Sequence, residues 1–271
     1  MALPAPAADR TAIVTGASSG IGSELARGLA ERGLGVTLVA RREDRLRVLA
    51  DELTKAHGVR AEVITADLTD QDSRSRIATE LESRGLTVDV LINNAGLSTT
   101  GAVHRSTPDR DIAMIRTDVE AIVHLCSLFV PGMVERGQGA VLNVASTAAF
   151  QPLPGQAGYG GAKAFVLSYS RATRAELKGT GVTMTVLCPG PVETEFAEAA
   201  GFTEEESSNA LPKFMWVSAA DVAKTALNGL DKNRAVVIPG FSNRVGAAVA
   251  HLTPRRLLLP MLARQHPALK D

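Results

Sequence analysis

The amino-acid sequence predicts an α/β fold: a single doubly wound domain whose mostly parallel, seven-stranded sheet carries helices on both faces. Three observations carry that expectation. Short β-branched runs alternate with longer amphipathic stretches, as parallel strands joined by crossover helices do. A glycine-rich turn separates the first of those runs from the first helical stretch. The less common polar residues gather just past the strand ends, where ligands settle in sheets of this kind.

Strands are expected at 11–15 (TAIVT), 35–39 (GVTLV), 61–65 (AEVIT), 88–92 (VDVLI), 140–145 (AVLNVA), 182–187 (VTMTVL) and 235–238 (AVVI). Helical periodicity occupies roughly 20–32, 43–56, 71–84, 109–135, 157–178 and 218–230. Two stretches break the alternation: an acidic, irregular insertion at 191–217 and an apolar, basic tail at 241–271. No linker-like shift, internal repeat or low-complexity run divides the chain, so residues 1–271 read as one domain behind a loose leader at 1–10.

Composition narrows the function classes. The 271 residues are 45% hydrophobic and include 24 glycines, which suits a sizeable core. Lys+Arg and Asp+Glu both number 29, so no net field favours nucleic acid or an anionic membrane. Cys126 and Cys188 lie far apart in apolar runs, which points to buried reduced thiols rather than a disulfide or metal site. The histidines show no ligand spacing, and no metal is expected. The opening MALPAPAADR lacks the apolar centre of a signal peptide. No apolar run approaches the ~20 residues of a membrane helix, so a soluble, cytoplasmic protein without a transmembrane segment is expected.

Thr15-Gly16-Ala17-Ser18-Ser19-Gly20-Ile21-Gly22 follows the first strand and opens the first helix. Glycines there permit a tight turn and close approach of a pyrophosphate, which the helix N-terminus faces. The spacing is G-x-x-x-G-x-G, not the commoner G-x-G-x-x-G, and such turns also arise for steric reasons alone. The second strand ends Val39-Ala40-Arg41-Arg42, without the acid that would hold a ribose 2′-hydroxyl. Arginine suits a 2′-phosphate, because its planar fork donates two parallel charge-assisted bonds. That favours NADP over NAD, against the alternative that Arg41 and Arg42 simply begin a solvated helix.

Tyr159, one of two tyrosines, precedes Lys163 by four residues, so both project from one helical face. A phenol titrates near ~10, and acid catalysis at neutral pH asks for a lowering of about three pH units, or roughly 4 kcal/mol. An ammonium about 4–5 Å away, at an effective dielectric of about 20, supplies about that much. The lysine alone is therefore expected to do most of the tuning. Ser146, at the end of the fifth strand, is placed to polarise a carbonyl, or else serves as a cap.

Together, TGASSGIG (15–22), ADL (66–68), NNAG (93–96), Ser146, YGGAK (159–163) and PGPVET (189–194) resemble the short-chain dehydrogenase/reductase family in order and spacing. The resemblance runs from residue 11 to about 195 and implies a Rossmann-type domain. The runs LVARREDRL (38–46), NVASTAAFQP (143–152) and VVIPGFSNR (236–244) resemble a bacterial branch of broad, NADP-preferring oxidoreductases. The resemblance implies that Tyr159 is the general acid/base, that Lys163 lowers its pKa and holds the nicotinamide ribose, and that Ser146 orients the carbonyl. It implies cofactor contacts from the backbone of Ser19, Ile21, Asn94, Gly96 and Val192 and from the Thr194 hydroxyl, with Asp67 and Leu68 against the adenine. Gly16, Ser18, Gly20, Gly22, Ala95, Pro189 and Gly190 complete the expected cofactor cleft. One position departs from the family: a helix-kinking asparagine that supports a water in the proton relay is replaced by Asp118. Either the backbone carbonyl at the kink carries that role and Asp substitutes with modest loss, or the side chain matters and a carboxylate near Lys163 raises the lysine's pKa and stabilises its charge.

The insertion at 191–217 carries Phe196, Phe202, Phe214, Met215 and Trp216. These residues form an apolar lid for an apolar or acyl-bearing ketone or alcohol, or they only pack the loop onto the sheet. The tail holds Arg244, Arg255, Arg256 and Arg264 among leucines. It covers the pocket, builds an oligomer interface or lies on a membrane surface, and prolines at 254, 260 and 267 favour packing or oligomerisation over one long interfacial helix. The family usually assembles through the helices at 109–135 and 157–178, so a homodimer or homotetramer is expected. The leading function is an NADP-dependent carbonyl reductase or alcohol dehydrogenase. The alternatives are a non-catalytic NADP-binding sensor or scaffold and a 3-oxoacyl thioester reductase.

Overall fold

The architecture was read from a computed structural model, which describes residues 3–196, 200, 212–265 and 269. Seven strands form one sheet: β1 (Arg10–Thr15), β2 (Val36–Ala40), β3 (Ala61–Thr65), β4 (Thr87–Asn93), β5 (Gly139–Val144), β6 (Val182–Leu187) and β7 (Val236–Val237). Their spatial order is β3-β2-β1-β4-β5-β6-β7, and every pairing is parallel. The crossovers run through α1 (Gly20–Ala30), α2 (Glu43–His57), α3 (Gln71–Ser83), α4 (Pro108–Ile115), α5 (Ala121–Glu135), α6 (Ala157–Glu176) and α7 (Ala219–Asp231). Each expected strand and helix is present, with ends moved by a residue or two.

The central strands are buried at nearly every position, not alternately, because both faces are covered. β5 and all but the first residue of β1 are buried along their length. Leu25, Leu29, Leu46 and Leu53 from α1 and α2 pack on one face, joined by Val222 and Leu227 of α7. Ile77, Ile122, Leu125 and Val166 from α3, α5 and α6 pack on the other. Strand order reverses between β1 and β4, so the carboxyl ends of those two strands open a crevice.

Two features were not anticipated in detail. Between α4 and α5 the helix widens into a π turn at Arg116–Glu120, with Asp118 fully buried inside it. A π turn inserts one residue into the helical ladder and so redirects the side chains around it. The composite run Pro108–Glu135 is 28 residues long and contains an 18-residue window with a mean hydropathy of 1.3, although no apolar run of membrane-spanning length was expected. It lies against β4 and α3 as a helix of the fold, and Ile122, Leu125 and Met133 belong to the core. The basic tail forms two further helices, α8 (Phe241–Leu252) and α9 (Arg255–Gln265), separated at Pro254.

Candidate active site

The crevice is built from four strand ends. After β1, Gly16 turns with φ 66°, and a Cβ there would lie 2.8 Å from the Ala95 Cα. A Cβ on Gly22 would lie 2.2 Å from the Gly16 carbonyl oxygen, so the first turn of α1 presses directly against the loop. The turn after β4 is hooked onto this loop. The backbone N–H groups of Asn94 and Ala95 donate to Thr15 Oγ1 at 2.9 and 3.0 Å, and Asn94 Nδ2 donates to the Thr15 carbonyl at 2.9 Å. Ser19 precedes α1 without capping its first-turn N–H groups. Those donors and the helix dipole are left for an anion at the crevice, so the loop fits a dinucleotide pyrophosphate.

Beyond β2, Arg42 reaches back to the glycine loop. Its guanidinium donates to Ser18 Oγ at 2.9 and 3.1 Å and to Ser19 Oγ at 2.7 Å. It also donates at 2.8 Å to Glu195, which accepts from Arg45 as well, and this pairing holds the Glu195 carboxyl below its ordinary range. Arg41 is exposed on the same turn. After β3, Asp67 accepts from the N–H and hydroxyl of Thr69, each at 2.9 Å. Leu68 is buried, with its carbonyl held by the buried Arg74 at 2.6 Å. Arg74 also donates to His124 and pairs with Glu120 of the π turn, a brace that sequence reading missed.

Past β5 and β6 the remaining residues converge. Ser146 accepts from the Ala148 N–H at 3.1 Å and so caps the short helix Thr147–Phe150. Tyr159 and Lys163 share a face of α6, with Lys163 Nζ 5.6 Å from the centre of the Tyr159 ring. Lys163 is buried, donates to the Val144 carbonyl at 3.2 Å and lies 2.9 Å from Asp118 Oδ2. Asp118 Oδ1 accepts the Leu97 N–H at 2.7 Å, so this carboxylate ties the π turn to the NNAG loop and to α6. Asn93, buried beneath the loop, donates to Asn143 at 2.8 Å, and Asn143 donates to Ser170 at 3.0 Å. Val192 bridges to Val217, closing the base of the insertion, and Thr194 packs its methyl over Gly20. Pro189 accepts the Thr147 N–H at 2.9 Å. Asn243 of α8 fills the space over Gly190, where a Cβ would lie 2.4 Å from its side chain, and donates to the Met215 carbonyl at 2.9 Å. Asn243 lies within VVIPGFSNR (236–244), but the sequence assigned it no role in the site.

The electrostatics correct one expectation. Burial pushes the Tyr159 phenol up and outweighs the lowering by Lys163 and the Ser146 hydrogen bond, and Asp118 adds to the rise. The lysine alone therefore does not bring the phenol near neutral pH in this arrangement, because the loss of hydration outweighs its charge and Asp118 adds a smaller rise. Burial by itself would lower Lys163, but Asp118 and Tyr159 more than offset it and hold the ammonium above its ordinary range. Asp118 in turn is raised, because its loss of hydration exceeds what Lys163 and the Leu97 N–H return. Cys126 and Cys188 are buried free thiols, pushed up to about 11 and about 12 by burial.

Of the insertion, Phe196 lies with its ring centre 5.9 Å from that of Tyr159, tilted by 50°. Phe214 is exposed, whereas Phe202 lies outside the described residues. Two clefts adjoin the site without being lined by Tyr159. One, of about 290 Å³, runs beside the glycine loop past Ser18 and Arg45. The other, of about 500 Å³, is an apolar trough between Phe150, Leu153 and Gly160 on one side and Leu259 of α9 on the other.

Residues 10–205 match the family model described as short chain dehydrogenase. The chain is 39% identical over 188 residues to a short chain dehydrogenase of Pseudocercospora fijiensis, a match covering 69% of this chain and 60% of that relative. It is 36% identical over 204 residues to sulfoacetaldehyde reductase 2 of Chromohalobacter salexigens, covering 73% and 79%. Among solved structures, a short-chain dehydrogenase from Sphingobium yanoikuyae in complex with NADPH superposes with a TM-score of 0.79 at 32% identity, covering 93% and 95%. The parallel sheet, the glycine loop at its switch point and the tyrosine–lysine turn are thus found together in a chain that belongs to the short-chain dehydrogenase/reductase family of oxidoreductases.

Proposed function

We propose that the chain is an NADP-dependent carbonyl reductase or secondary alcohol dehydrogenase, in which Tyr159 moves the proton on the substrate oxygen. The observation that carries this reading is the convergence of Tyr159, Lys163 and Ser146 at the carboxyl end of β5, beside a loop shaped for a dinucleotide. When bound, the nicotinamide supplies or accepts the hydride at the carbonyl carbon. Ser146 donates to the carbonyl oxygen and holds it beside the Tyr159 hydroxyl. In reduction Tyr159 gives that oxygen its proton, and Lys163 holds positive charge next to the phenolate that results.

Gly16, Ser18, Ser19, Gly20, Ile21, Gly22, Asn94, Ala95 and Gly96 hold the pyrophosphate and nicotinamide side. Asp67 and Leu68 hold the adenine side, and Pro189, Gly190, Val192 and Thr194 close the cleft. Arg42 is the better placed of the two arginines for a 2′-phosphate, because its fork already lies on the Ser18 and Ser19 hydroxyls. The NADPH complex of the Sphingobium yanoikuyae relative supports NADP as the dinucleotide. Asp118 is a positioning residue acting through Lys163. Phe196 against Tyr159 supports an apolar or acyl-bearing substrate.

The test is NADPH and NADH oxidation across ketones of graded chain length, with Tyr159→Phe alongside. Removing the proton donor should lower kcat by about 10²- to 10⁴-fold with NADPH binding retained. Undiminished turnover in that variant would refute the role, and a preference for small polar ketones would refute the apolar pocket.

A further inference from the structure

The chain has equal numbers of acidic and basic residues, but they are not evenly spread. Between Asp231 and Asp271 there is no acidic residue, whereas Lys232, Arg234, Arg244, Arg255, Arg256, Arg264 and Lys270 all fall there. Because the totals are equal, the rest of the chain carries the balancing acidic excess. Of these, Arg244, Arg255, Arg256 and Arg264 lie on the helices α8 and α9.

Each helix presents an apolar stripe outward. On α8, Phe241, Val245, Val249 and Leu252 recur at i, i+4, i+8 and i+11, which places them within one narrow sector of the helix. Asn243 and Ala247, on the opposite side, are buried against the fold. On α9, Leu257 and Met261 form a second outward pair while Leu258 is buried. All six outward residues are between 47% and 79% exposed, far more than a helix packed into a core would leave. The exposed Arg244, Arg256 and Arg264 flank them, and Arg244 lies over the Phe241 ring at 5.9 Å. Arg255 is used internally, donating to the Ala250 and Phe150 carbonyls and so fixing the hairpin to the fold.

We propose that α8 and α9 form a peripheral docking surface for an anionic lipid bilayer, with the apolar stripes entering the headgroup boundary and the arginines meeting lipid phosphates. Charge complementarity selects this occupant. A two-fold contact between copies through these two helices alone would set the acid-free segment 232–270 against itself, bringing like charges together. An anionic surface instead attracts every basic group on the hairpin, and it accepts the apolar stripe at the same time. With 12 and 11 residues, and with Pro254 between them, the helices are too short to span and suit a surface-lying pair.

The experiment is co-sedimentation of the full chain with vesicles of phosphatidylcholine alone and of phosphatidylcholine mixed with phosphatidylglycerol, run beside sedimentation velocity without lipid. The chain should pellet with the anionic vesicles, and the bound fraction should fall several-fold between about 0.1 M and about 1 M salt, where the Debye length shrinks from about 10 to about 3 Å. The combined variant Val249→Asp, Leu252→Asp, Leu257→Asp should stay in the supernatant while keeping turnover of a water-soluble ketone, which also reports that it is folded. No pelleting of the native chain overturns the proposal, as does salt-insensitive binding to both vesicle types. An assembly in lipid-free buffer that the same variant disperses overturns it in favour of a self-association face.

Discussion

Two ion-paired cations stand at opposite ends of the cofactor crevice, and they are built in contrary ways. At the phosphate end, Arg42 pairs with Glu195 at 2.8 Å in an exposed cluster that Arg45 shares. At the reacting end, Lys163 pairs with Asp118 at 2.9 Å, both buried. Exposed pairs are screened and contribute little to stability, so the proposed exchange of Glu195 for a phosphate at Arg42 would come at small cost. Buried pairs lose their hydration, and breaking one strands a charge. The first pair is therefore suited to being exchanged on binding, and the second to holding a fixed field at Tyr159.

The contrast is tested most severely by Lys163→Ala. It leaves Asp118 buried without its partner and should cost about 3–5 kcal/mol of stability along with the activity. The sign of its pH dependence follows from the direction of the shift. A buried carboxyl with a raised folded pKa binds more protons folded than unfolded, so stability should fall as pH rises above the ordinary carboxyl value of 3.8. Thermal melts from acid to neutral pH would show it, and a variant as stable at neutral pH as at acid pH would refute the buried-charge argument.

Arg42→Ala should raise the KM for NADPH roughly ten- to a hundredfold and leave that for NADH nearly unchanged, because only the 2′-phosphate loses a charge-assisted partner. Equal effects on both cofactors would shift the assignment to Arg41.

Asp118→Asn should change kcat by less than about tenfold, or about 1.4 kcal/mol. Its sharper readout is the pH profile. The Asp118 charge raises the Tyr159 phenol, so removing it should move the phenol-dependent limb of the rate to lower pH in either direction of reaction. An unmoved profile would mean that Asp118 serves only to hold the π turn. In the native protein the raised Lys163 favours the folded state below the ordinary 10.5, and that contribution is lost as pH climbs through the still higher folded value.

Glu195→Gln is expected to have the smallest effect. It should leave the melting temperature essentially unchanged and lower the NADPH KM a few-fold, since Arg42 no longer has to leave a carboxylate. An increase in KM would instead make Glu195 part of the binding geometry.

Much of the fold was legible because each element announces itself locally. β-Branched runs such as AVLNVA and VTMTVL are buried at nearly every position and read as strands covered on both faces. The glycine at 16 is demanded by a positive φ and a close neighbour. What sequence could not supply was distance. Asp118 was noticed as a departure at its position, but its contacts with Lys163 and the Leu97 N–H depend on a π turn that no residue pattern encodes. Asn243 over Gly190, Arg74 on His124 and Glu195 on Arg42 each join residues 50 or more positions apart only after folding.

The tail shows the same division. Its prolines and arginines were visible in the chain, and they argued for packing or assembly over one long interfacial helix. Only the tertiary structure shows that Pro254 yields two short helices and that their apolar stripes face outward. Sequence by itself determined the order of strands and helices, the glycine turn and the tyrosine–lysine pair, because each rests on residues within a turn or two of one another. Tertiary structure decided the charge environment of Tyr159 and the exposed face of the tail. Burial and ion pairing are properties of whatever the fold brings alongside, and they dominate a phenol's acidity once water is removed.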